Sequence, residues 1–122
     1  MGGLYEWSAG ALSSTFPRIG DFTNRGELRI EGDDEKRLRR AALTNEGTVR
    51  DRNGIVFEFG TINNKADGIY DLQSGDLVFD GRRSSRLFND FNNEGTFRKN
   101  SSSTVSVNLK NDGGIVDVQE GN

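Results

Sequence analysis

Apolar and polar residues alternate along this chain in short stretches that are separated by polar turns. The stretches "IVFEF", "LVFD" and "TVSVNL" show the alternation most clearly. A period of two is the pattern of a β-strand with one buried face, because successive side chains of a strand point to opposite faces of its sheet. Many short stretches of this kind, bounded by turn residues, predict an all-β chain.

One short motif recurs five times in the sequence. Each copy has an apolar residue, a second residue, an asparagine, a glycine-containing turn and then an alternating strand: "FTNRGELRI", "LTNEGTVRD", "INNKADGIYDL", "FNNEGTFRK" and "LKNDGGIVDV". Successive copies begin 21, 19, 29 and 18 residues apart, at Phe22, Leu43, Ile62, Phe91 and Leu109. The longer third interval contains the extra stretch "FDGRRSSRLFND".

A period near 20 residues predicts one coil of a parallel β-solenoid, with two or three short strands in each coil. We therefore expect residues 1–122 to form a single solenoid segment of about five to six coils. The expected inward-facing residues are Val49, Val56 with one of the flanking phenylalanines, Phe97, Val105, Val107 and Leu109, whereas Arg50 and Arg52 face water. The alternative fold is an antiparallel β-sandwich, in which the N-x-G motifs are hairpin turns.

The recurring asparagines occupy one place in every coil. Stacked about 4.8 Å apart, their amides can form a hydrogen-bonded ladder along the solenoid axis. The predicted ladder consists of Asn24, Asn45, Asn64, Asn93 and Asn111. The glycines that follow them suit backbone positions with positive φ; they are Gly26, Gly47, Gly68, Gly95 and either Gly113 or Gly114.

Composition narrows the chemistry that this chain can perform. The net charge is −3, from 16 basic and 19 acidic residues, so no excess of positive charge favours nucleic acid or an anionic membrane. The sequence has no cysteine and no histidine, which removes disulfides and the commonest general base. We expect no cofactor, no bound metal and no membrane insertion.

The ordered series of motifs resembles a long repeat of large bacterial surface and secreted proteins of the adhesin or autotransporter-passenger type. The resemblance extends from Tyr5 to Gly121 and includes "YEWSAGALSS", "LTNEGTVR", "FNNEGTFRK" and "LKNDGGIVDVQEGN". It implies a right-handed parallel β-helix in an extracellular or cell-surface setting, and it carries no catalytic residues. The stretches "IEGDDEKRLRRAA" and "FDGRRSSRLFND" are more charged than the corresponding parts of such repeats.

The two ends of the chain suggest a segment of a longer array. "MGGLYEW" has no basic and apolar signal sequence, so a secretion signal is expected outside this chain. The pattern stops at "VQEGN" where another strand would begin. We expect contacts with neighbouring solenoid repeats or end-to-end self-association. Residues 2–12, with Trp7 and Leu12, are a candidate cap.

Two charged clusters are candidate binding sites. The acidic run Glu31, Asp33, Asp34 and Glu35 invites comparison with Ca²⁺-dependent polysaccharide lyases, but a solvated turn is the favoured interpretation because calcium needs six to eight oxygen ligands. The basic residues Arg37, Arg39, Arg40, Arg82, Arg83 and Arg86 form a possible surface for an anionic polysaccharide or a protein partner. Local acids weaken that possibility, and solvated surface is again favoured.

The aromatic residues favour a core over a binding platform. We expect Phe22, Phe57, Phe59, Phe79, Phe91 and Phe97 to stack inside the solenoid. Only Trp7 and Tyr70 are candidates for an exposed carbohydrate platform, and Thr48 with Thr96 are too few for an ice-binding array. The sequence thus predicts a non-catalytic spacer or adhesion scaffold. The alternatives are a module that binds an anionic glycan or a protein partner and, more remotely, a polysaccharide-acting enzyme.

Overall fold

The computed structural model describes residues 4–7, 10–13, 20–32, 34–82, 88–100 and 102–119, with side chains from Phe22 onward. The strands are β1 (Leu4–Trp7), β2 (Gly10–Ser13), β3 (Gly20–Asn24), β4 (Glu27–Ile30), β5 (Lys36–Arg39), β6 (Ala41–Asn45), β7 (Thr48–Asp51), β8 (Gly54–Glu58), β9 (Thr61–Asn64), β10 (Ile69–Leu72), β11 (Asp76–Phe79), β12 (Asp90–Asn93), β13 (Thr96–Asn100), β14 (Asn108–Asn111) and β15 (Ile115–Gln119). The predicted cap at residues 2–12 has no described side chains.

The strands form three parallel sheets, and consecutive strands belong to different sheets. The first sheet has the order β1-β4-β7-β10-β13-β15, the second β11-β8-β5-β2 and the third β14-β12-β9-β6-β3. Strands β1–β12 thus make four complete three-sided coils. A fifth coil consists of β13, a single bridge from Val105 to Leu77, and β14; β15 begins a sixth.

The pairing confirms the predicted parallel solenoid and excludes the antiparallel sandwich. Each strand pairs with its counterpart one coil away: Val49 of β7, for example, lies between Leu28 of β4 and Tyr70 of β10. Because every named pair of strands is parallel, the N-x-G turns join the third sheet of one coil to the first sheet of the next and are not hairpin turns. The repeat interval of the sequence is therefore the length of a coil.

The core is a column of apolar side chains enclosed by the three sheets. Predicted residues Val49, Phe97 and Val107 are buried, and Val105 and Leu109 pack partly buried against them. The prediction for Val56 was wrong: in β8 the inward face belongs to Ile55 and Phe57, which leaves Val56 half-buried on the outside. Arg50 and Arg52 are exposed, as expected.

The phenylalanines follow the prediction with one exception. Phe57, Phe91 and Phe97 are fully buried, and Phe22 and Phe79 pack partly buried against the core. Phe59 instead has a φ of 55°, which places it at the corner between the second and third sheets. Its ring lies 5.2 Å from the guanidinium carbon of Arg40 and 5.8 Å from the ring of Phe88. Phe59 therefore covers a corner and is not part of the core.

The motif glycines are needed for close stacking and not for a left-handed backbone. Positive φ occurs at Gly113, as predicted, but not at Gly26, Gly47, Gly68 or Gly95. A Cβ atom on Gly47 would lie 2.2 Å from the carbonyl oxygen of Gly26, and one on Gly95 2.3 Å from that of Gly68. The turns of successive coils thus stack backbone on backbone, and a side chain of any size would force the coils apart.

Gly95→Ala is therefore expected to lower the free energy of unfolding by about 2 kcal/mol, the usual scale of overpacking. Gly81→Ala is the matched control, because the nearest atom to its added Cβ is a ring carbon of Phe79 at 3.8 Å. Urea unfolding of both variants measures the difference. Equal stabilities would show that the turns are not tightly stacked.

Candidate functional site

The five predicted asparagines form one continuous ladder at the end of the third-sheet strands. The Nδ2 atom of each donates to the Oδ1 atom of the next: Asn24 to Asn45 at 3.0 Å, Asn45 to Asn64 at 2.9 Å, Asn64 to Asn93 at 2.9 Å, and Asn93 to Asn111 at 3.0 Å. The first four residues are fully buried. The interval of 29 residues between Asn64 and Asn93 leaves the stacking intact, because the extra chain of that coil lies outside the ladder.

The ladder also ties the third sheet to the first. Each inner Nδ2 atom donates to a main-chain oxygen at the start of a first-sheet strand, one coil beyond the first-sheet strand that follows the asparagine in the chain. Asn64, for example, is followed by β10 and donates to Thr96 of β13 at 2.9 Å. Asn24, Asn45 and Asn93 donate in the same way to Thr48, Ile69 and Ile115. Each amide thus bonds along the axis and across the corner. No buried side-chain nitrogen or oxygen in the described part of the chain lacks a partner.

A second buried polar group lies inside the core, between the first and second sheets. Asp51 takes an inward position of the first sheet, where its register neighbours are Ile30 and Leu72. Its Oδ1 atom accepts from the backbone nitrogens of Asn53 and Gly54 at 2.9 and 2.7 Å. Its Oδ2 atom accepts from the Tyr70 hydroxyl at 2.7 Å.

Burial is the main cause of the shifted pKa values of Asp51 and Tyr70. Removal of water raises the pKa of Asp51 to about 6, although the backbone donors and Tyr70 favour the charged carboxylate. Burial, followed by the nearby Asp51 charge, raises the pKa of Tyr70 well above its usual value. The Lys36 side chain is also buried and donates to the main-chain oxygen of Asp34. Asp51 and Tyr70 have no solvent-exposed surface, so this group stabilises a corner and does not contact a substrate.

The burial of Tyr70 contradicts its candidacy as a carbohydrate platform. Its ring packs edge-on against Phe91 and Phe97, at centroid distances of 5.2 and 5.9 Å. The other candidate, Trp7, has no described side chain, so the proposed pair lies partly outside the described residues.

The predicted basic surface is largely neutralised where it is described. Arg37 donates to Asp80 at 2.8 Å, Glu35 at 2.9 Å and Glu58 at 3.1 Å, and the hydrogen bond to Asp80 is the main reason that the pKa of Arg37 is raised. Arg39 pairs with Glu58 at 3.1 Å.

Two of the remaining predicted arginines, Arg40 and Arg82, are described. Arg40 lies over the Phe59 ring, and Arg82 is exposed at the start of the insertion. Arg83 and Arg86 lie outside the described residues. In the described residues, the second sheet presents a paired charge network in which Glu35 is local to Arg37, and Glu58 and Asp80 come from one and two coils away.

The acidic run forms no metal centre in the described residues. Glu31, Asp34 and Glu35 are described and Asp33 is not. Within the described ranges, no group of three or more acidic side chains is arranged to hold a metal ion. Glu35 instead pairs with Arg37.

A groove on the outer face of the first sheet escaped the sequence analysis. It has a volume of about 380 Å³ and is lined by Glu27, Arg29, Glu31, Arg50 and Arg52. Arg29 and Arg50 are register neighbours on β4 and β7. The hydrogen bond from Arg29 is the main cause that lowers the pKa of Glu27. The signal was present in the aligned motifs "GELRI" and "GTVRD", in which these arginines hold the same place.

Comparison with known protein families, curated proteins and solved structures finds no match to this chain. The resemblance to adhesin-type repeats therefore stays a prediction. In the part of the chain that is described, no helix has the length and apolar character required to cross a membrane.

Proposed function

We propose that this chain is a structural repeat module of a bacterial cell-surface or secreted protein, where it acts as a rigid spacer and adhesion scaffold without catalytic activity. The observation that carries the proposal is the asparagine ladder. Five amides in line span about 19 Å at the spacing of parallel strands. They join the coils by side-chain hydrogen bonds in addition to the main-chain bonds of the sheets.

The ladder favours stiffness because its first four asparagines are fully buried. Buried amides that lose their partners pay their full desolvation cost. Separation or tilting of two coils would expose or unpair several amides together, and the first four amides also donate to the first sheet. Each repeat of a solenoid contacts only its neighbours, so the stability of the whole depends on bonds of this kind between coils.

The extracellular setting and the partners of the proposal come from the resemblance to adhesin-type repeats. In such an array the partners are neighbouring solenoid repeats or a second copy, end to end. Nucleic acid is not among them, because the net charge is −3.

Single-molecule stretching between handles at the two chain ends tests the spacer. We expect resistance without extension up to one cooperative unfolding event, and a lower unfolding force in Asn64→Ala than in the wild type. Asn63→Ala is the control, because this neighbouring side chain bonds outside the core, to Asn92. Gradual extension of the wild type, or equal forces in both variants, would contradict the proposal. Release of unsaturated sugar from an acidic polysaccharide would contradict its non-catalytic part.

A further inference from the structure

The groove on the first sheet brings three arginines together: Arg29, Arg50 and Arg52. Arg29 and Arg50 are adjacent on one outer face, and like charges opposite each other on neighbouring strands are destabilising. Glu27 offsets part of this repulsion, since its Oε2 atom lies 2.9 Å from Arg29 Nε and 3.4 Å from Arg50 Nε. With Arg52 and Glu31 included, three arginines face two carboxylates.

The guanidinium groups of Arg50 and Arg52 each contact another side chain through the Nε atom. Arg50 contacts Glu27 through Nε, and Arg52 donates through Nε to Gln73 Oε1 at 2.7 Å. Gln73 is itself fixed by donation to Asp71 at 2.9 Å. Among the described residues, no hydrogen bond uses the Nη atoms of Arg50 or Arg52. A guanidinium group with available Nη donors can bind a carboxylate or sulfate group through two parallel hydrogen bonds.

We propose that this groove binds an acidic polysaccharide, with Arg50 and Arg52 holding a carboxylate or sulfate group of the sugar. The lining favours a sugar because it combines cationic donors with the acceptors Glu27 and Glu31, which suit the hydroxyl groups of the same ring. A volume of about 380 Å³ lies within the range of small-molecule sites. None of the described residues that line the groove is aromatic, so they offer no surface for the base stacking typical of single-stranded nucleic acid.

The second sheet serves as an internal comparison. There Arg37 has three carboxylate partners, and Arg39 shares Glu58 with it. The second-sheet network has two arginines and three carboxylates, whereas the lining of the first-sheet groove has three arginines and two carboxylates. Binding of an anion is therefore expected at the first-sheet groove, away from the sequence-predicted basic cluster.

The test measures binding of fluorescent oligosaccharides by anisotropy at low and physiological salt. The probes are a heparin-derived oligosaccharide for sulfate, an oligogalacturonate for carboxylate, and a neutral dextran oligosaccharide. We expect the wild type to bind at least one charged probe, less tightly at higher salt, and to leave dextran unbound. Arg50→Gln with Arg52→Gln should weaken that binding at least tenfold.

The control is Arg25→Gln with Lys65→Gln, which removes the same charge from exposed ion pairs with Glu46 and Glu94. Its affinity should stay within twofold of the wild type. The double variant Arg50→Lys with Arg52→Lys keeps the positive charge but lacks the forked guanidinium group. Its affinity for the charged probe should lie between those of the wild type and of the double glutamine variant. The proposal would be overturned if both glutamine variants lost the same affinity, or if the wild type bound neither charged probe. Because all these residues are on the surface, the spacer proposal is unaffected by either outcome.

Discussion

Asn64→Asp is expected to lower the free energy of unfolding at pH 7 by about 4 kcal/mol or more. Asn64 is the central rung: it accepts from Asn45 and donates to Asn93 and to the main-chain oxygen of Thr96. A carboxylate at this position cannot donate, so it would face two acceptor oxygens at about hydrogen-bonding distance. It would also introduce a charge at a fully buried position. Urea unfolding followed by circular dichroism measures the loss.

Asn63→Asp is the matched control for this variant, with the same chemical change one residue away. Asn63 lies on the outer face, half-buried, and its Oδ1 atom accepts from Asn92 Nδ2 at 2.9 Å. An aspartate keeps that acceptor and remains in contact with water, so the expected loss is below about 1 kcal/mol. Similar losses at the two positions would mean that the ladder does not stabilise the fold.

The second large effect is a pH dependence that originates at Asp51. Its pKa is about 6 in the folded chain and about 3.9 when unfolded. A raised folded pKa means that the protonated acid is favoured by folding. The resulting stabilisation is fully present below about pH 4 and is lost as the pH rises through 6. At 1.36 kcal/mol per pH unit, the loss is about 3 kcal/mol.

Asp51→Asn removes this titration while keeping a side-chain oxygen for the Asn53 and Gly54 backbone donors. We expect the stability of the wild type, relative to this variant, to fall by about 2 kcal/mol between pH 4 and pH 7, because the unfolded carboxyl is already half ionised at pH 4. Tyr70 can rotate its hydroxyl to accept from the new amide. Parallel curves for the two proteins across this range would show that Asp51 is not buried as described. Thermal unfolding at half-unit pH steps provides the data.

The coil length and the ladder could be predicted from the sequence because both repeat. A residue type that recurs at one place in every coil must stack on itself in a parallel solenoid, and five asparagines did so. The face of β8 could not be predicted in the same way. "GIVFEF" has apolar residues in both phases of the alternation, so burial alone does not choose between Val56 and its neighbours.

The partners of the charged residues could not be predicted from the sequence. Arg37 finds its partners Glu58 and Asp80 at separations of 21 and 43 residues, which no local pattern specifies. Asp51 shares its face with Val49, so alternation placed it inside, but the cost of burying a carboxylate argues against that position. The conflict is resolved by the Tyr70 hydroxyl from the next coil. The partners of charged groups depend on register between coils, which only the folded chain establishes.

Nuclear Overhauser contacts in a labelled sample test whether the chain is a parallel solenoid with an internal amide ladder. We expect contacts between the side-chain amides of Asn45 and Asn64, slow exchange of those protons, and backbone contacts between the neighbourhoods of Val49 and Tyr70. Antiparallel contacts between adjacent strands, or rapidly exchanging asparagine amides, would contradict it.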